Sequence, residues 1–178
     1  MLFTNDTEAS LSAAVELANS AEHPDTLTSR GDLDAFLAAH FYTGRVDHDG
    51  RELDAVRALR PRLRTMLLAE RDEMVAHVND ALAAVPLNAR LIRHGDVDWH
   101  LHAVSDDRSL PERILIETAM ALIDVIRADE GGRLGVCADD DCDAIVLDLS
   151  RNRSKRYCST TCTNRNAVAA YRARRAAR

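Results

Sequence analysis

Cys137-Ala-Asp-Asp-Asp-Cys142, followed after fifteen residues by Cys158-Ser-Thr-Thr-Cys162, contains all four cysteines of this 178-residue chain. Two close pairs separated by a longer loop supply four thiolates to one tetrahedral zinc without strain. Two disulfides would need an oxidising compartment. Met1-Leu-Phe-Thr-Asn-Asp-Thr-Glu8 has neither the basic start nor the apolar core of a signal peptide, and no apolar run approaches the roughly 20 residues that span a bilayer. The expectation is a cytoplasmic protein with one structural zinc on Cys137, Cys142, Cys158 and Cys162. Free or redox thiols are the remaining alternative.

The residues around the cysteines predict a small finger of hairpin-plus-helix type. Arg133 to Cys137 and Ala144 to Leu149 read as two short strands around the loop Ala138-Asp-Asp-Asp141. Cys158 and Cys162, four apart, suit the start of a helix, where one turn places both sulfurs on one side. The alanine- and arginine-rich end of the chain continues that helix. A module of roughly 45 residues is marginal without metal, because it buries too little apolar surface.

Charge is segregated. The whole chain has a net charge of -6, but from Ala144 to Arg178 nine Lys or Arg face one acid, Asp148. Such a stretch can bind a phosphate backbone while the remainder stays acidic. Arg151, Arg153, Lys155 and Arg156 lie between the cysteine pairs, and Asn164, Arg165, Arg172 and Arg175 lie on the final helix. Guanidinium forks fit phosphate oxygens and guanine edges, and an asparagine amide fits adenine. These eight residues are the candidate contacts to double-stranded DNA. The alternative is that some arginines neutralise the anionic zinc centre or pair with the acidic part of the chain, and that Asn164 braces a loop.

Working toward the N-terminus, the chain becomes helical. Apolar stripes at Leu11, Ala14, Val15 and Ala18, and at Leu33, Phe36 and Leu37, mark two helices. Asp49-Gly-Arg-Glu52 resembles a capping box ahead of one long helix or two, with Pro61 as the expected kink and Pro86 as the end. Arg90 to Val104 reads as a hairpin about His94-Gly-Asp96, with Trp99 and Leu101 expected in the core or lining a ligand pocket. His94, His100 and His102 would form a polar exposed face, or less simply a second metal site. A second capping box, Ser109-Leu-Pro-Glu112, opens an apolar helix that Gly131-Gly132 is expected to end. Asp139, Asp140, Asp141 and Asp143 lack the glycine-spaced loop of a calcium site and read as a solvated turn.

Asp148-Leu-Ser-Arg-Asn-Arg-Ser-Lys-Arg-Tyr-Cys158-Ser and Cys162-Thr-Asn-Arg165, behind a Cys-x4-Cys hairpin, resemble the bacterial CGNR zinc finger. Val15-Glu-Leu-Ala-Asn-Ser20 and Asp32-Leu-Asp-Ala-Phe-Leu37 are similar to the entry of the ABATE domain that precedes that finger. The resemblance implies a DNA-binding transcription regulator linked to stress. Two positions depart from its pattern. Thr163 replaces the glycine, which matters if that position needs a positive φ and not if a helix begins there. Tyr157 replaces a tryptophan and keeps an amphipathic ring over the metal site.

No Gly-rich phosphate loop, H-E-x-x-H or G-x-S-x-G occurs, and zinc on four cysteines has no open position, so an enzyme is not expected. The reading is a mainly α-helical N-terminal domain with one hairpin (residues 1–130), then a four-cysteine finger (133–178). The finger would contact DNA, and the N-terminal domain would regulate it through a small-molecule effector or as a homodimer. A protein-interaction adaptor, its basic finger on an acidic partner, is the alternative.

Overall fold

Alanine and leucine at helical spacing build α1 (Asn5–Asn19), which buries Leu11, Ala14, Val15, Leu17 and Ala18. It belongs to a computed structural model describing residues 3–22, 24–94 and 97–176. Helix α2 (Arg30–Ala39) starts with a reciprocal box, in which the Ser29 hydroxyl accepts from the Asp32 amide and the Asp32 carboxylate accepts from the Ser29 amide. Helix α3 (Gly50–Leu68) is capped by Asp49, whose carboxylate accepts from the Glu52 amide at 2.8 Å. Glu52 itself reaches further back than a capping box requires, accepting from the amides of Asp47 and His48.

Pro61 does not divide α3. It leaves the carbonyl of Arg57 without its helical amide, and Arg60 Nε donates to that carbonyl at 3.3 Å. The break instead falls at Ala69–Glu70, before α4 (Arg71–Ala84). Helix α5 (Leu110–Arg127) opens at Ser109, whose amide and hydroxyl both donate to Glu112. It is the centre of the bundle, packing on α1, α3 and α4 through Ile114, Ala119 and Leu122. The buried Arg113 on α5 pins the loop after α2, donating to the carbonyls of Thr43 and Arg45. Gly44 there has φ +83°, and a Cβ would come within 2.8 Å of the Asp106 carbonyl, so glycine is required.

The glycine pair does not end α5. The chain leaves the helix at Ala128 and turns at Asp129, with φ +55°. Gly131–Arg133 is a single 3-10 turn. Aspartate tolerates the left-handed region well enough to serve as the C-terminal turn residue.

Strands β1 (Arg90–His94) and β2 (Val97–His102) form the expected antiparallel hairpin, with Leu91 opposite Leu101. Its faces are reversed from expectation. Trp99 is 63% exposed and Leu101 42%, with the Arg93 guanidinium 5.6 Å over the indole. His102 turns inward, its Nδ1 3.5 Å from Asp106. The hairpin packs on the bundle at its base, where Ala103 and Val104 meet Val85 and Ile116, and Trp99 stays exposed with Arg93 over its ring. The side chains of His94 and His100 lie outside the described residues.

Strands β3 (Leu134–Val136) and β4 (Ile145–Leu147) form the second hairpin, and α6 (Thr160–Ala176) ends the described chain. Ile145 and Leu147 enter the same apolar core as α1, α3 and α5. The Asn19 side chain acts as an extra strand residue, donating to the Ile145 carbonyl at 2.9 Å and accepting its amide at 2.7 Å. The architecture is mainly helical, with one hairpin on the bundle and a small finger at the C-terminal end.

Candidate metal centre and basic surface

The β3–β4 ladder continues through Cys137, whose amide donates to the Ala144 carbonyl at 2.8 Å. A turn closed by the Cys142 amide on the Asp139 carbonyl then presents the second cysteine. Cys158 just precedes α6, and Cys162 lies in its first turn, where its amide donates to Ser159 Oγ at 3.2 Å. The hydroxyl of Thr163 donates back to the Ser159 carbonyl at 3.0 Å. Position 163 is therefore helical and needs no glycine, but Ser159, not Thr163, is the cap.

The four sulfurs lie within 4.8 Å of one another. Cys142 Sγ is 3.6 Å from Cys158 Sγ, which is 3.7 Å from Cys162 Sγ. A tetrahedron with Zn–S bonds of about 2.3 Å has edges of about 3.8 Å. The donors thus fit one structural zinc, with no histidine or carboxylate in the cluster among the described residues. Burial pushes the Cys158 thiol up to about 12, and neighbouring Cys142 raises it further. Burial also raises Cys142. Cys137 is buried too, yet amides of Cys158 and Asp139 hold it below the usual thiol value. A bound divalent cation is what keeps such a set deprotonated together. Tyr157 packs against the cluster with Val146.

Asp140, Asp141 and Asp143 are exposed, as a solvated turn requires, but Asp139 is not. Asp139 is 4% exposed, and its carboxylate accepts from Asn166 Nδ2 at 2.8 Å, Arg165 at 3.1 Å and the Asp141 amide at 3.1 Å. It ties the first cysteine loop to α6. Asp148 does the same for the loop between the pairs, accepting the amides of Ser150 and Lys155, each at 2.8 Å. Its burial would raise the carboxyl, but those bonds hold it below the usual carboxylate range. Arg133 clamps the loop from behind through the carbonyls of Asp148 and Ser150. Neither Asp139 nor Asn166 stands out in the sequence; the only signal is that Asn166 lies one turn beyond Cys162.

The candidate DNA contacts fall into two groups. Arg151, Lys155 and Arg156 are exposed, as are Asn164, Arg172 and Arg175 along α6. Arg153, at φ +49°, is held by Glu130 at 2.7 Å, and the same Glu130 oxygen accepts from Arg133. Arg165 is held by Asp139 and lies 3.7 Å from Asp141. Cys162 is the one buried residue of α6, and the helix beyond it extends about 21 Å from the metal centre. Asn164, Val168, Tyr171 and Arg175 recur at spacings of four, three and four and share one side of it.

A family model for the CGNR zinc finger matches residues 133–175. A model for ABATE, whose description reads "Putative stress-induced transcription regulator", matches residues 11–129, two thirds of the chain. The chain belongs to the ABATE family. No curated protein matches it. The two matched regions flank Glu130-Gly-Gly132, so the residue that bridges Arg133 and Arg153 stands at the junction of the ABATE region and its finger. No helix among the described residues of this ABATE protein is long and apolar enough to cross a membrane.

Proposed function

We propose that this ABATE protein is a cytoplasmic, zinc-dependent regulator of transcription whose finger binds double-stranded DNA. The observation that carries this reading is α6, a basic helix held at its start by Cys162 and by the contacts of Arg165 and Asn166 to Asp139, and exposed along its described length beyond Asn166. Beside it, Arg151, Lys155 and Arg156 are exposed and form no ion pair among the described residues. Phosphates would be met by these loop cations, and base edges by the side of α6 that carries Asn164 and Arg175. The helical region up to residue 130 would regulate the finger, through a small-molecule ligand or by self-association. The reading contains no catalytic step, because four thiolates leave zinc no open position.

One observation favours an acidic protein as partner. Arg153 and Arg165 already hold carboxylates within the chain, so this surface accepts such groups. Incubating the zinc-loaded chain with a random duplex pool separates the two. Enrichment of one sequence supports the regulator. No retention at low salt removes DNA and leaves the adaptor.

A further inference from the structure

A zinc-bound thiolate remains a nucleophile, and the four sulfurs here are not equivalent. Cys137 and Cys162 are buried, whereas Cys142 and Cys158 are half-buried. Amides of Cys158 and Asp139 donate to Cys137, and the Ala144 amide donates to Cys142. Hydrogen bonds to an anionic acceptor stabilise its charge, which makes those sulfurs poorer nucleophiles. Cys158 lines a cleft of about 520 Å³ between α1 and the finger, walled by Ser12, Val15, Asn19, Leu147 and Lys155. One of the two half-buried cysteines therefore borders a space wide enough for a small solute.

We propose that Cys158 is a hydroperoxide-reactive thiolate and Cys142 its resolving partner, so that oxidation opens the finger. The inference rests on the four-thiolate zinc reading and is independent of what the finger binds. The Cys158 sulfur attacks one oxygen of the hydroperoxide, the O–O bond breaks, and Cys158 becomes a sulfenic acid as hydroxide leaves. The Cys142 thiolate, 3.6 Å away, attacks that sulfur, forms the disulfide and displaces a second hydroxide. Two electrons pass from the thiolates to the peroxide, and two protons convert both hydroxides to water. Cys162 is a poorer resolving group despite its 3.7 Å separation, because the Ser159 cap fixes it in the first turn of α6. The disulfide removes two of four donors, so zinc leaves. With the cluster gone, α6 loses its anchor at Cys162 and keeps only the contacts of Arg165 and Asn166 to Asp139.

Zinc content of the full chain, measured before oxidation, establishes the centre separately from its reactivity. Hydrogen peroxide is then added in anaerobic buffer, zinc release is followed with a chromogenic chelator, and the thiols are mapped by differential alkylation and peptide mass spectrometry. The expected result is release of one zinc per chain, with Cys142–Cys158 as the first disulfide, reversed by dithiothreitol and zinc. Ser12→Trp, which narrows the cleft without touching a ligand, should slow release several-fold. Zinc retained under tenfold excess peroxide, a first disulfide through Cys137 or Cys162, or an unchanged rate in a folded S12W protein would each overturn the proposal.

Discussion

Replacing Asn19 with alanine should destabilise the whole chain although it removes no apolar contact. The Asn19 amide makes both hydrogen bonds to the backbone of Ile145, which is 1% exposed. Alanine leaves a buried N–H and a buried C=O without partners, each costing about 1–3 kcal/mol. A total of about 2–4 kcal/mol follows if the site relaxes a little. For a chain of this length that is a melting temperature lower by about 5–15 °C. Urea unfolding by circular dichroism, with zinc and reductant present, measures it. Asn19→Asp is the informative companion. Its carboxylate still accepts from the Ile145 amide but faces the Ile145 carbonyl without a hydrogen, so it should recover no more than half of the loss. A cost below about 0.5 kcal/mol for Asn19→Ala, or wild-type stability for Asn19→Asp, would refute the claim that this side chain joins β4 to α1.

Chelation of zinc should release α6 and the loop between the cysteine pairs while the bundle stays helical, because the bundle core does not contain the sulfurs; dichroism should lose no more than the share of α6, and a larger loss refutes this. Burial pushes the Glu117 carboxyl up to about 7, with Asp106 adding to it and Arg113 opposing it. A raised carboxyl favours the protonated folded state, so its contribution is present below about 4.5 and lost as pH rises through about 7. Wild type should therefore lose stability relative to Glu117→Gln between pH 5 and 8, and parallel melting curves against pH would contradict it. On DNA, Arg151→Ala with Lys155→Ala should flatten the log-log salt slope by about two. Arg153→Ala alone should flatten it by less than one, since Glu130 already neutralises that cation; equal effects per residue would show that the ion pair opens on binding.

The finger was largely legible because metal-ligand spacing is a local code. Cys137, Cys142, Cys158 and Cys162 converge as their spacing implies, and the strands fall within a residue or two of their expected ends. Helix starts at Asp49 and Ser109 were readable for the same reason, since caps act within four residues. Features set by tertiary packing were not. Trp99 and Leu101 have the alternation of a core face, but which face meets the bundle depends on how the hairpin docks at Ala103 and Val104. Asp139 lies among four acids that read as solvated, and only the fold brings Asn166 and Arg165 onto it. Pro61 and Gly131-Gly132 show propensity overruled, by a neighbouring guanidinium in one case and by Asp129 in the other.

Strand β4 gives its Ile145 and Leu147 side chains to the helical core and its backbone to Asn19. Zinc fingers are commonly treated as cassettes that can be grafted between hosts. This one is not portable in that sense: cut at the glycine pair, it would carry two large aliphatic residues into water and leave a matching hole in the bundle it left. A chimera that borrows its recognition surface must therefore borrow α1 as well, and recombination that separates the two would be selected against before any regulatory role is lost.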